Sequence, residues 1–196
     1  QTYLPAGGQD TSFSLLRTVE FKEADAFIET TLKSATQTID MIQVNFSLEV
    51  YCMADLIFPG ICSFDNALPY MTAMMEAIER NHVHVRVIME NSNSNGLENR
   101  VAGQVFMEEL KQRGLDQYVE LRFYNGKVHA KSTLVDGELL MIGSMNMHYS
   151  SWSANALAEY VVTTDNPQAI QEYQRMFESK WADAIPFEEA EFSTSP

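Results

Sequence analysis

The residues best equipped for chemistry in this chain fall in one segment, VHAKSTLVDGELLMIGSMN, which carries His129-x-Lys131, Asp136 and Gly143-Ser144-x-Asn146. At average residue usage, six such fixed positions coincide by chance on the order of once in a hundred million starting points, so the spacing is itself a signal. In an extended strand, residues two apart share a face, and His129 and Lys131 therefore project together. Ser144 and Asn146 repeat that step on the next segment. If a hairpin joins the two, an imidazole, an ammonium, a hydroxyl and an amide converge. Such a set suits a phosphodiester. Lys131 and the Asn146 amide can hold the non-bridging oxygens as negative charge builds in the transition state. His129 can attack phosphorus or protonate the leaving oxygen.

The elements that must position these groups are legible from periodicity. Asp136-Gly137 is a hairpin signal between strands expected at 128–135 and 139–142. The run TIDMIQVNF (38–46), apolar on both faces, reads as a central covered strand, and VHVRVIME (83–90) alternates as a strand. Further strands are expected at 118–124 and 159–164. Helices are expected from Phe21, from Pro69 to Arg80, from about Leu97 to Arg113, and from Pro167 to Trp181 with Asp165 or Asn166 as its cap. Helices interleaved with strands predict an α/β fold with a mixed β-sheet sandwiched between helices. Residues 1–20 read as an extended lead-in, 21–185 as one domain and 186–196 as a loose acidic tail.

With 13 basic against 27 acidic residues the chain carries −14, which opposes bulk binding to a polyanion such as nucleic acid and favours a neutral or zwitterionic substrate. No apolar run reaches membrane-spanning length. The chain starts at Gln1, which reads as a processed or excised piece. Cys52 and Cys62, ten residues apart, either close a small disulfide loop, the mark of an exported protein, or sit as two buried thiols. They lie in an apolar insert with Leu56, Ile57, Phe58, Ile61 and Phe64. That insert covers the core, covers a partner or leans on a lipid surface.

The motif resembles the HKD signature of the phospholipase D superfamily, H-x-K-x4-D-x6-G-S-x-N, without a departure, and the resemblance extends from about Phe21 to Asp183. It implies a phospholipase D-like half in which two HKD copies face each other across a twofold or pseudo-twofold axis. One histidine becomes a phosphohistidine, and the other protonates the leaving alcohol and then activates water. No metal or other cofactor is implied. The resemblance makes Glu159 the carboxylate that orients the histidine ring and Asp136 an anchor for the hairpin. The chain holds a single copy and looks like the C-terminal half of a two-motif enzyme. A second HKD-bearing half must come from a homodimer or from a separated half.

Outside the motif, His148 and Trp152 are candidate pocket residues, grouped with Gly143 and Ser144 as substrate-binding. His82 and His84 read as surface or satisfied core residues; as a pair on one strand face they lack a third metal ligand at useful spacing. Arg86, Arg100, Arg122 and Lys127 are the candidate basic groups near the pocket. The expected activity is phosphodiester cleavage or transfer on phospholipid head groups, with a homodimeric nuclease and a non-catalytic half-domain as alternatives.

Overall fold

The computed structural model describes residues 12–49, 52, 54, 57–58, 60–92, 95–154 and 157–190. Leu56 of the apolar insert, residues 1–11 of the lead-in and 191–196 of the tail lie outside these. In chain order the elements begin β1 (Ser12–Arg17), α1 (Glu23–Ser34), β2 (Thr38–Gln43), α2 (Pro69–Asn81), β3 (His84–Glu90) and α3 (Asn95–Arg113). They continue β4 (Val119–Tyr124), β5 (Ser132–Val135), β6 (Leu139–Gly143), α4 (Tyr149–Trp152), β7 (Glu159–Thr164), α5 (Pro167–Asp183) and β8 (Ile185–Pro186).

The strands form one mixed sheet in the order β1-β7-β6-β5-β2-β3-β4-β8. Strands β2, β3 and β4 run parallel, and the other neighbours are antiparallel. As the apolar-on-both-faces pattern predicts, β2 is central and five of its six residues are buried. One core packs α1, α2 and α3 on one face of the sheet through Phe27, Leu32, Met71, Met74, Ile78 and Phe106. The other face meets α5, whose Ile170, Tyr173, Phe177 and Trp181 cover Ile42, Ile88, Leu134 and Leu140. Each such side chain stabilises the fold by roughly 2 kcal/mol through apolar burial. Asn166 caps α5, its side chain accepting from the Ala169 N–H at 2.9 Å.

Four expected boundaries shift. The lead-in contributes β1, which pairs with β7 from Ser12↔Thr164 to Arg17↔Glu159. At the other end, residues 185–190 are not loose: β8 pairs with β4, Phe187 stacks on Phe123 and Ala190 is buried. Strand β2 stops at Gln43 because the Asn99 side chain takes the next backbone groups, accepting from Phe46 N–H and donating to Val44 C=O. With β2 ended, residues 128–131 lose a neighbour on that side, and β5 begins only at Ser132.

The hairpin turn forms as Asp136-Gly137 requires, with φ of 53° and 67° at the two positions. Cys52 and Cys62 are joined by a disulfide, which settles the two readings of that pair. Among the described residues no helix is long and apolar enough to cross a membrane.

Candidate active site

The β5–β6 hairpin has two ends, and the motif uses both. At the turn, Asp136 accepts from the N–H groups of Thr36 (2.9 Å), Gln37 (2.8 Å) and Thr38 (3.0 Å) and from the Thr36 hydroxyl. Burial pushes its carboxyl pKa up, but these donors outweigh burial and hold it below the ordinary aspartate value. The turn is thereby fastened to the start of β2, far along the hairpin from the other motif residues.

At the open end, His129, Lys131, Gly143, Ser144, Asn146, Leu157, Glu159 and Tyr160 line a wide cleft of about 640 Å³. His129 and Lys131 precede β5 instead of lying in it, so the simple strand argument for their shared direction does not apply. The Gly143 N–H bonded to Lys131 C=O (3.1 Å) extends the ladder by one step and fixes the lysine. The Lys131 Nζ donates to His129 C=O (3.1 Å) and lies 3.3 Å from His129 Nε2. His129 itself is exposed, whereas Lys131 is buried. Burial lowers the Lys131 pKa, and the charges of Glu159 and Glu90 oppose that shift.

The glycine of the motif has a steric cause. A Cβ at Gly143 would stand 2.1 Å from the Tyr160 carbonyl oxygen, so only glycine lets β6 approach β7 there. Ser144 then turns across to β7, its backbone N–H donating to Tyr160 C=O (3.0 Å) and its hydroxyl accepting from Tyr160 N–H (3.1 Å). The same hydroxyl donates to Glu159.

Glu159 occupies a different position from the one the resemblance implied. Its carboxylate accepts from Ser144 and, at 2.8 Å, from Ser151, rather than from the His129 ring. Its charge still acts on Lys131. Ser151 gave no signal in the sequence beyond a polar residue in YSSW, yet it is fully buried and joins two site residues. Its Oγ donates to Glu159 and accepts from the Asn146 N–H (3.2 Å).

The Asn146 Oδ1 is buried with no hydrogen-bond partner among the described residues, as are Thr31 Oγ1 and Gln43 Oε1.

His148 and Trp152 do not line the cleft, because both are occupied in supporting it. Trp152 is buried against Tyr70, with ring centroids 5.3 Å apart, and donates from Nε1 to Asn146 C=O (3.2 Å). His148 caps α4 through Nδ1, and its Nε2 lies 3.1 Å from Glu98. The candidate basic groups also lie elsewhere. Arg86 is paired with Asp40 and Glu178, Arg122 with Glu120, and Arg100 lies over Phe123. Lys127 is exposed outside the cleft lining. His82 and His84 pack on Tyr118. Leu157 and Tyr160, which sequence reasoning missed, form the apolar wall; only adjacency to Glu159 could have pointed to Tyr160.

Residues 28–181 match the family described as "Cardiolipin synthase, PLD-like domain". The chain belongs to the phospholipase D superfamily. Within this superfamily, 126 residues are 25% identical to the mitochondrial cardiolipin hydrolase of Xenopus laevis, covering 64% of this chain and 55% of that protein. The chain thus spans a little over half the length of that curated relative. The fold is similar to that of Nuc from Salmonella typhimurium, a phospholipase D family member (TM-score 0.65, 16% identity, 91% of this chain and 98% of that one). It is also similar to phosphatidylserine synthase from Haemophilus influenzae Rd KW20 (TM-score 0.67, 12% identity, 96% of this chain and 43% of that one). At these identities the likeness to the solved structures is one of fold. The matched fold covers nearly all of the first and under half of the second.

Proposed function

We propose that the chain hydrolyses or transfers phospholipid head groups through a phosphohistidine at His129, as one half of a two-histidine site. The observation that carries this reading is the cleft in which an exposed imidazole, a buried ammonium and the Asn146 side chain meet. Lys131 and Asn146 hold the non-bridging oxygens of the phosphodiester. A ring nitrogen of His129 attacks phosphorus, and the bond to the leaving oxygen breaks as that oxygen takes a proton from the second half's histidine. Water or an acceptor alcohol, losing a proton to that same histidine, then attacks phosphorus as the phosphorus–nitrogen bond to His129 breaks. Glu159, anchored by Ser144 and Ser151, opposes the lowering of the Lys131 pKa and so favours its charged form.

A docking surface for the second half adjoins the cleft. Helix α5 leaves the β6, β7 and β1 end of its sheet face bare. Ile142, Val162, Tyr160 and Leu16 are 48%, 39%, 50% and 45% exposed there. The pairings Ile142↔Val162 and Leu16↔Tyr160 put these four side chains on one face, and Tyr160 also walls the cleft. Either a second copy of this chain or another HKD-bearing half can cover this face. The phospholipid reading is supported by the net charge of −14 and by the kinship with a cardiolipin synthase family.

The test is molecular mass by light scattering with phosphodiesterase activity assayed on the same fractions. An active dimer means two copies complete one site, and an inactive monomer means a separate half is required. An active monomer contradicts the two-histidine reading. Cleavage of single-stranded DNA with strongly salt-dependent binding, and none of phospholipid, would favour the nuclease alternative instead.

A further inference from the structure

Between Ser47 and Leu68 the chain makes an excursion whose stem is well fastened and whose tip is bare. At the root, Phe46 bridges Met147, the Ser47 N–H donates to Met147 C=O (2.8 Å), and the Tyr70 hydroxyl reaches that same carbonyl at 2.9 Å. The stem therefore rises one residue from Asn146, at the cleft end of the sheet. Its two sides are tied three times. Leu68 N–H donates to Leu48 C=O (2.8 Å), Ser63 N–H donates to Glu49 (2.8 Å), and Cys52 is bonded to Cys62. Leu48 is fully buried and Phe64 stacks on Phe106, so the base is packed into the core.

Beyond the disulfide the pattern inverts. Ile57, Phe58 and Ile61 are 75%, 61% and 41% exposed. The N–H groups of Ile57 and Phe58 both donate to Ala54 C=O (3.0 and 2.9 Å).

We propose that this tip is a membrane prong, entering the interface of an uncharged or zwitterionic phospholipid bilayer and setting the adjoining cleft among the head groups. The proposal rests on the phospholipid reading above and deepens it. Two observations favour a bilayer over a protein. The face suited to the second half is a different one, on the bare strands β6, β7 and β1. The insert itself carries no lysine or arginine, and the guanidinium that reaches its base, Arg113 over Phe64, is paired with Glu79 and Glu109, so attachment here runs through apolar insertion and not through attraction to anionic lipid.

The experiment is co-sedimentation of the intact chain with phosphatidylcholine vesicles at low and high salt, alongside hydrolysis of the water-soluble diester bis(p-nitrophenyl) phosphate. The wild type is expected to bind at either salt concentration. Ile57→Ser/Phe58→Ser is expected to bind about tenfold or more weakly, with unchanged mass in solution and unchanged rate on the soluble diester. Vesicle binding by the variant equal to wild type, or absent from both, overturns the prong. A variant that loses its oligomeric state overturns it in favour of a protein contact. A wild type that binds vesicles but hydrolyses no diester, with its partner half supplied, removes the enzymatic reading and leaves the prong standing.

Discussion

The two ends of the β5–β6 hairpin carry parts of one motif and treat polar groups in opposite ways. At the turn, the Asp136 carboxylate is satisfied by four donors and fastened to β2. At the open end, the Asn146 Oδ1 has no partner among the described residues, His129 stands exposed and Lys131 is buried beside it. Saturated polar groups stabilise. Unsaturated ones cost stability unless a ligand completes them. The difference separates an anchor from the proposed reaction site within a single short sequence signature.

The sharpest way to break this contrast is to delete each end in turn. His129→Ala, made in the complete two-half enzyme, is expected to lower turnover by about a thousandfold or more with no loss of thermal stability, because an exposed ring holds up no core. Steady-state rates and a melting curve on one preparation check it; an active variant would sink the histidine assignment. Asp136→Ala should do the reverse, costing about 2 kcal/mol of stability while each folded molecule keeps its rate, since it removes donors' partners and leaves a non-glycine residue at positive φ.

Acid sharpens the same distinction. The Asp136 pKa is lower in the folded chain than in an unfolded one, so its stabilisation is complete above the ordinary aspartate range and is lost as pH falls through the folded value. Denaturant titrations of wild type and Asp136→Ala should converge at low pH.

Smaller effects are expected from the residues that hold the open end in place. Ser151→Ala removes one link from Asn146 N–H and one from Glu159, and turnover should fall about tenfold with KM less affected. The smallest is a displacement of the pH profile. Burial lowers the Lys131 pKa, so its ammonium is lost below the ordinary lysine value of 10.5 and the alkaline limb of activity should lie below it. Because the Glu90 charge opposes that shift, Glu90→Gln should move the limb to still lower pH. An unmoved limb would mean that Lys131 is not the group titrating.

Much of this was readable in advance because it depends on short-range rules. The hairpin needed Asp136 and Gly137 in a left-handed backbone. The helix at Pro167 needed a cap, and Asn166 supplies it. Pattern reading erred where distant groups intervened. The strand expected to reach Phe46 ends three residues earlier because Asn99, on α3, takes its backbone groups. Trp152, which the sequence left between pocket and core, is drawn into the core by Tyr70 and holds Asn146 from behind. The contacts of Glu159 were hidden for a similar reason, since the Ser144 and Ser151 hydroxyls that reach its carboxylate come from other elements.

The sequence by itself determined the chemistry on offer, namely one HKD copy with its histidine, lysine and asparagine at fixed spacing, and an α/β frame to carry it. Residue type and local periodicity suffice for both. Only the tertiary structure decided which polar groups are satisfied and which wait for a ligand, that α5 leaves the β6, β7 and β1 end of its sheet face bare, and that the apolar insert is a pinned stem with an exposed tip. Those outcomes depend on contacts between residues tens of positions apart, and burial and hydrogen bonding at such distances are set by packing and not by local pattern.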